Sequence, residues 1–150
     1  MSPIAMYDRG VAALTHLELV PQLVTRVTIG WVFIESGWGK LHQLDKVTEY
    51  FQSLGIPAAA IQAPFAAGSE LVFGATVLLG LFTRLSSIPL MIIMAVAILT
   101  AKRDDLTGVS ELFGFIEYLY VVLLLWLLVR GGGFLSMDRL LLSRRSPGRK

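Results

Sequence analysis

The chain has 150 residues, of which 55% are hydrophobic and only 16% are charged. Soluble domains usually carry about 25% charged residues, so this composition favours a membrane protein. The high apolar content excludes intrinsic disorder, and a net charge of only +2 argues against nucleic-acid binding. The sequence contains no cysteine, which excludes disulfides, thiolate nucleophiles and cysteine-ligated metal centres within it.

Residues 1–20 mix apolar and polar side chains and are predicted to form an N-terminal interfacial segment. Four apolar segments follow, each near the roughly 20 residues that a helix needs to cross the hydrocarbon core of a membrane. Helices are expected because lipid cannot satisfy free backbone N–H and C=O groups. Residues 21–130 are therefore predicted to form an all-α, integral membrane four-helix bundle. The four segments run from Pro21 to Leu41, Pro64 to Phe82, Leu85 to Ala101 and Phe113 to Val129.

The connections between these segments differ in length. Residues 83–84 join the second and third segments so tightly that the two must form an antiparallel hairpin. The connection over residues 42–63 is longer, and residues 45–54 within it are predicted to form a short amphipathic helix.

The distribution of Lys and Arg predicts the orientation in the membrane. Nine of the 13 lie on the side that holds the N-terminus, the Arg84 turn and the C-terminal tail, and four lie in the other two loops. The positive-inside rule therefore places both termini of this multi-pass protein in the cytoplasm. Residues 131–150 form a basic cytoplasmic tail, which is also expected to contact anionic membrane lipids.

Three glutamates lie inside the predicted spans. An ionisable group there costs roughly 2.5–3.5 kcal/mol, so each needs a partner, a cavity or a function. Glu35 and Glu70 each lie six residues from the outer end of their segments, at a depth of about 9 Å, and Glu117 lies at about 6 Å. The three carboxylates are thus predicted to share one layer of the outer leaflet.

Helical spacing predicts which of these groups face inward. Lys40 and Glu70 each lie on a glycine-containing stripe, and glycines let helices approach closely, so these stripes are expected to face the bundle interior. Glu117 and Tyr118 would join them from the fourth helix. These four residues are the candidates for ligand binding or proton exchange. Glu35 points to the opposite side of its helix and needs another helix, a neighbouring subunit or a proton.

Two alternatives for this cluster remain open from the residues alone. It is either a polar pocket that binds a small or lipid-soluble molecule or relays protons, or a structural Lys40–Glu70 pair that only fixes helix register. At the inner end, Arg26, Arg84 and Asp138 are candidates for ion pairing.

No sequence signature of a metal, flavin or haem site is present, and no catalytic residue is assigned. The two histidines, His16 and His42, are expected on opposite sides of the membrane, which argues against a shared haem.

An ordered set of short motifs covers residues from about 24 to 140. The motifs are Arg26-x3-Gly30-x2-Phe33-x3-Gly37-x2-Lys40-Leu41, Gly55-Ile56-Pro57, Glu70-x3-Gly74, Gly80-Leu81-Phe82-Thr83-Arg84, Glu117-Tyr118 and Gly131-Gly132-Gly133-Phe134-Leu135-Ser136-Met137-Asp138. In this order they resemble the DoxX family of small bacterial membrane proteins. Glu35 and the triple glycine at residues 131–133 depart from the usual family pattern.

The resemblance implies a four-helix membrane bundle, located as a multi-pass protein in the bacterial inner membrane. Some members of the family are linked to quinone-reducing thiosulfate oxidation, others to thiol and oxidative-stress handling, and distant ones to membrane-protein assembly. We therefore expect a redox-associated subunit, at most the membrane part of a quinone-linked oxidoreductase complex, with a pocket for a quinone-like or other small amphiphilic ligand. A protein partner or a homo-oligomer is expected. The alternative is a non-enzymatic scaffold or assembly factor that recruits or stabilises partner proteins.

Overall fold

The computed structural model describes residues 19–133 and 136–138, which contain six α-helices and no strand. The all-α prediction is confirmed for this part of the chain. Residues 1–18 of the predicted interfacial segment, and most of the predicted basic tail, lie outside the described residues. The helices are α1 Leu19–Leu41, α2 Leu44–Ser53, α3 Ala59–Leu79, α4 Thr83–Ala101, α5 Val109–Gly114 and α6 Ile116–Arg130.

Helices α3 and α4 are long and apolar enough to cross a membrane, with 21 and 19 residues. In each helix, only 28% of the 18-residue apolar stretch is buried within the protein. The core helix of a soluble protein would bury most of such a stretch, whereas a helix in a membrane can expose it to lipid. These two helices are the candidate membrane spans.

Helix α1 packs antiparallel along α3, with glycine at each close approach. A Cβ added to Gly30 would lie 2.7 Å from the backbone nitrogen of Leu78, and one added to Gly37 would lie 2.5 Å from that of Leu71. The step from Gly30 to Gly37 on α1 therefore matches the step from Leu78 back to Leu71 on α3, as expected for antiparallel helices in one register. Gly74 makes a matching approach from α3 to α1. The small residues bring the two backbones together, as in other membrane helix pairs.

A hydrophobic core joins the four long helices. Helix α4 packs mainly on α6, and α3–α4 and α1–α6 contacts connect this pair to the α1–α3 pair. The core residues are Ile29, Phe33, Val77, Leu90, Met94, Leu124 and Leu127.

The connections differ in part from the prediction. The short amphipathic helix is confirmed as α2, which lies against α3. Helix α3 begins at Ala59, five residues before Pro64, so this proline lies inside the helix. The expected single helix over residues 113–129 is wrong, since the extended backbone of Phe115 (φ −78°, ψ 133°) separates α5 from α6. Gly114, a poor helix former, precedes this break.

Candidate functional site

A buried ion pair joins α1 to α3. The Nζ atom of Lys40 lies 2.5 Å from Oε1 of Glu70, whose side chain has no exposed surface, whereas 32% of the Lys40 side chain is exposed. The second carboxylate oxygen of Glu70 accepts a hydrogen bond from the hydroxyl of Ser36 at 2.8 Å. Both carboxylate oxygens thus have donors from α1, which stabilises the buried charge.

Local sequence explains this geometry. Ser36 and Lys40 are four residues apart, so they lie on the same face of α1, one turn from each other. The glycine contacts at Gly37 and Gly74 let Glu70 reach both donors. Sequence reasoning missed Ser36, although its position one turn before Lys40 is a signal that could have identified it.

Glu70 lies deeper along its helix than the sequence predicted. It follows the first residue of α3, Ala59, by eleven residues, which corresponds to about 16 Å along the axis. The predicted depth of about 9 Å was counted from Pro64, where the structure has the helix already in progress. The carboxylate is therefore close to the midpoint of a candidate membrane span.

Glu117 is in the first turn of α6 and carries a buried polar atom without a partner. Its Oε2 has no hydrogen-bond partner among the described residues. Buried polar atoms are nearly always paired, so an unpaired carboxyl oxygen is an exception that needs an explanation. The positive end of the helix dipole is favourable for an acidic group at this position.

Two contacts fix the register of α6 against α1. The side-chain amide Nε2 of Gln22 donates a hydrogen bond to the carbonyl oxygen of Gly131 at 2.9 Å. The ring of Phe33 contacts the ring of Tyr120, with the centroids 6.0 Å apart. Phe33 follows Gln22 by eleven residues, and Tyr120 precedes Gly131 by the same number. The two helices are therefore antiparallel and keep one register along this length.

This register places Glu117 at the height of the ion pair. Glu117 precedes Tyr120 by three residues, and Ser36 follows Phe33 by three, so the two lie at about the same level along the antiparallel helices. Ser36 is the residue that donates to Glu70. We call Ser36, Lys40, Glu70 and Glu117 the polar layer.

Tyr118 and Glu35, which were also predicted near this height, point in other directions. The ring of Tyr118 contacts that of Phe113, with centroids 5.2 Å apart, and is therefore next to the break between α5 and α6. Glu35 is exposed on the side of α1 that faces away from α3.

An open groove of about 290 Å³ lies between the end of α1 and α2. Lys40 lines this groove and also binds the buried Glu70. The Lys40 side chain therefore connects the groove to the buried carboxylate of Glu70. The lining residues are Gly39, Lys40, Gln43, Lys46, Val47 and Tyr50.

Asp138 lies at the other end of the protein from the groove, against the first residues of α4. Its carboxylate accepts hydrogen bonds from the backbone N–H groups of Phe82 at 2.8 Å and Thr83 at 3.4 Å. Its own N–H donates to the carbonyl of Gly80 at 3.1 Å. The residue thus satisfies free N–H groups at the start of α4, the role that a helix-capping residue has.

Arg26 and Arg84 contact the glycine segment that precedes Asp138. Nη1 of Arg26, which is only 5% exposed, donates to the carbonyl of Gly132 at 2.6 Å. Arg84 is exposed and lies against Gly131, where an added Cβ would be 3.1 Å from its Nε. The structure therefore brings Arg26, Arg84 and Asp138 to one end of the protein, with backbone partners for Arg26 and Asp138.

Two family models and several curated proteins match this chain. The DoxX family model matches residues 22–103, and the model described as TQO small subunit DoxD matches residues 65–148. An uncharacterised membrane protein of Mycobacterium tuberculosis is 35% identical, over 87% of this chain and 88% of its own. No solved structure matches the chain.

Two further relatives carry informative names. A Bacillus subtilis protein named as a candidate oxidoreductase, CatD, is 28% identical over 84% of this chain and 90% of its own. An inner membrane protein of Escherichia coli is 27% identical over 93% of this chain and 99% of its own. Because the DoxX model covers more than half of the chain and the mycobacterial relative matches most of it, the chain belongs to the DoxX family of membrane proteins.

Proposed function

We propose that this protein is a multi-pass membrane subunit of a redox assembly, and that its polar layer binds a quinone-like or other small amphiphilic ligand. The observation that carries the proposal is the buried, unpaired Oε2 of Glu117 at the height of the Lys40–Glu70 pair. A purely structural ion pair explains Lys40 and Glu70. It does not explain a further buried carboxyl oxygen, that of the half-buried Glu117, at the same level.

In the proposed membrane placement, α1, α3, α4 and α6 cross the bilayer and both termini are cytoplasmic. Helices α3 and α4 have the length and hydropathy of spans, while α1 runs alongside α3 and α6 alongside α4. The excess of Lys and Arg on the side of the termini supports this orientation. The name of the Escherichia coli relative supports the inner membrane as the location.

The residues of the polar layer have the chemistry that a quinone-like ligand requires. Lys40 can donate a hydrogen bond to a ligand carbonyl, and the unpaired Glu117 carboxyl can hold or release a proton next to a ligand oxygen. Reduction of a quinone consumes two electrons and two protons. In this proposal the electrons come from a partner subunit, in keeping with the small-subunit name of the second matching family model.

Binding of a short-chain ubiquinone to the purified protein in nanodiscs tests the proposal. Hydrogen bonds to charged groups contribute about 1.5–3 kcal/mol, so we expect Glu117→Gln and Lys40→Gln each to raise the Kd roughly tenfold or more. Glu49→Gln, which changes an exposed carboxylate on α2, is the matched control and should leave the Kd unchanged. Equal affinity of the wild type and the folded Glu117→Gln variant would contradict the proposal.

A further inference from the structure

One face of α1 is turned away from the rest of the protein. Trp31 and Trp38 are 61% and 58% exposed, and Glu35, between them, is exposed as well. His42 continues the same side, and its ring contacts that of Trp38 with centroids 4.4 Å apart. These four residues recur at helical spacing, so they form one continuous stripe, which we call the α1 outer face.

The carboxylate on this face has no partner within the described protein. None of the described residues forms a hydrogen bond or an ion pair with Glu35. Glu35 lies six residues before the end of α1, about 9 Å along the axis, and α1 is antiparallel to the candidate span α3 over this region. Under the membrane placement proposed above, on which this inference rests, the carboxylate therefore faces lipid.

A lipid-facing carboxylate costs roughly 2.5–3.5 kcal/mol on insertion scales, and such residues almost always pair with another group. We propose that the α1 outer face docks a membrane-spanning helix of a partner protein, and that this helix carries a Lys or Arg at the height of Glu35. The two tryptophans provide broad apolar contact surfaces on either side of the charge. A second copy of the chain, inserted in the same orientation, would place two Glu35 carboxylates together, and like charges repel.

Association with designed membrane-spanning peptides tests this inference. The probes are leucine-rich helices of about 22 residues that carry a dansyl group and either Lys, Leu or Glu at the height of Glu35. Energy transfer from the protein's tryptophans to dansyl in phosphatidylcholine liposomes reports association. We expect at least fivefold stronger association with the Lys peptide than with the Leu peptide. Glu35→Gln should remove this preference, and Glu35→Lys should transfer it to the Glu peptide.

The control is Glu49→Gln, which should keep the preference for the Lys peptide because Glu49 lies on α2. Equal association of the wild type with the Lys and Leu peptides overturns the inference. The inference is also overturned if the α1 outer face binds only a second copy of the protein, because the face is then an interface between copies.

A labelling experiment separates this result from the membrane placement and from the ligand site. The chain has no cysteine, so Glu35→Cys and Glu49→Cys are each single-cysteine variants. We expect a membrane-impermeant maleimide to label position 35 at least tenfold more slowly than position 49. Equal rates overturn the membrane placement of α1 and the docking inference together. Failure of quinone binding leaves the peptide result intact, because Glu35 and Lys40 lie on different sides of α1.

Discussion

Lys40 forms an ion pair with the carboxylate of Glu70, whose side chain is completely buried, whereas 32% of the lysine side chain is exposed. The two partners of this ion pair are therefore not equivalent. If Glu70 is removed, the flexible lysine can move its charge towards the adjacent groove and the surface. If Lys40 is removed, the Glu70 carboxylate stays inside with Ser36 as its remaining donor.

We therefore predict that Lys40→Met destabilises the protein more than Glu70→Gln does. Removing one partner of a buried pair costs about 3–5 kcal/mol, whereas Glu70→Gln should cost about 1 kcal/mol. The double variant should be more stable than Lys40→Met alone, since no charge is then left buried. Reversible unfolding in mixed detergent micelles measures these free energies. Equal losses for the two single variants would show that Glu70 is hydrated after the lysine is removed.

The glycine contacts between α1 and α3 predict a second stability difference. A Cβ at Gly37 would lie 2.5 Å from the backbone nitrogen of Leu71 and 2.7 Å from the carbonyl oxygen of Ala67, and neither atom can move independently. Gly37→Ala should therefore cost about 1–3 kcal/mol of unfolding free energy by overpacking.

Gly39 is the matched control for this substitution. Nothing lies within 4 Å of a Cβ placed there, so Gly39→Ala should be neutral or stabilising by up to about 1 kcal/mol through helix propensity. Thermal denaturation of both variants in the same detergent decides the matter. The packing argument fails if Gly37→Ala melts at the same temperature as Gly39→Ala.

The capping of α4 by Asp138 predicts the effect of removing this carboxylate. Asp138→Ala leaves the N–H groups of Phe82 and Thr83 without their acceptor and should cost about 0.5–2 kcal/mol, as for other helix caps. Asp138→Asn retains one acceptor oxygen and should lose less. The measurement is chemical unfolding in micelles, with Asp105→Ala in the exposed connection after α4 as the control. An unchanged stability of Asp138→Ala would mean that water or the backbone replaces the cap without loss.

Glu117 should behave in the opposite way to Lys40 in a stability measurement. Its Oε2 is buried and has no partner in the part of the chain that the structure describes. Glu117→Met removes this unsatisfied polar atom and should leave the unfolding free energy unchanged or raise it by up to about 1 kcal/mol. The same substitution should weaken quinone binding. A gain in stability together with a loss of binding is typical of residues retained for function. A large loss of stability without any change in the Kd would instead assign Glu117 a structural role.

Much of the architecture could be predicted from local sequence. The apolar segments predicted the long helices, and the spacing of apolar residues predicted α2, because both signals depend only on neighbouring residues. The break at Phe115 was missed, since a single extended residue leaves the apolar composition of the segment unchanged. The start of α3 was misplaced for a similar reason. Proline favours the first turn of a helix, but Pro64 is tolerated inside this one.

The candidate site also has features that local sequence predicted and features that it could not predict. Helical periodicity was enough to predict that Lys40 and Glu70 lie on glycine-containing helix faces and that Glu35 points away from them, because it fixes the direction of each side chain around the helix axis. The packing of the helices was needed to show that Ser36 completes the hydrogen bonds of the Glu70 carboxylate and that Glu117 lies at the same height, with no partner for its Oε2 among the described residues. Those relationships depend on how far one helix slides along another, and that register is set by contacts such as Gly37 against Leu71, which lie far apart in the chain.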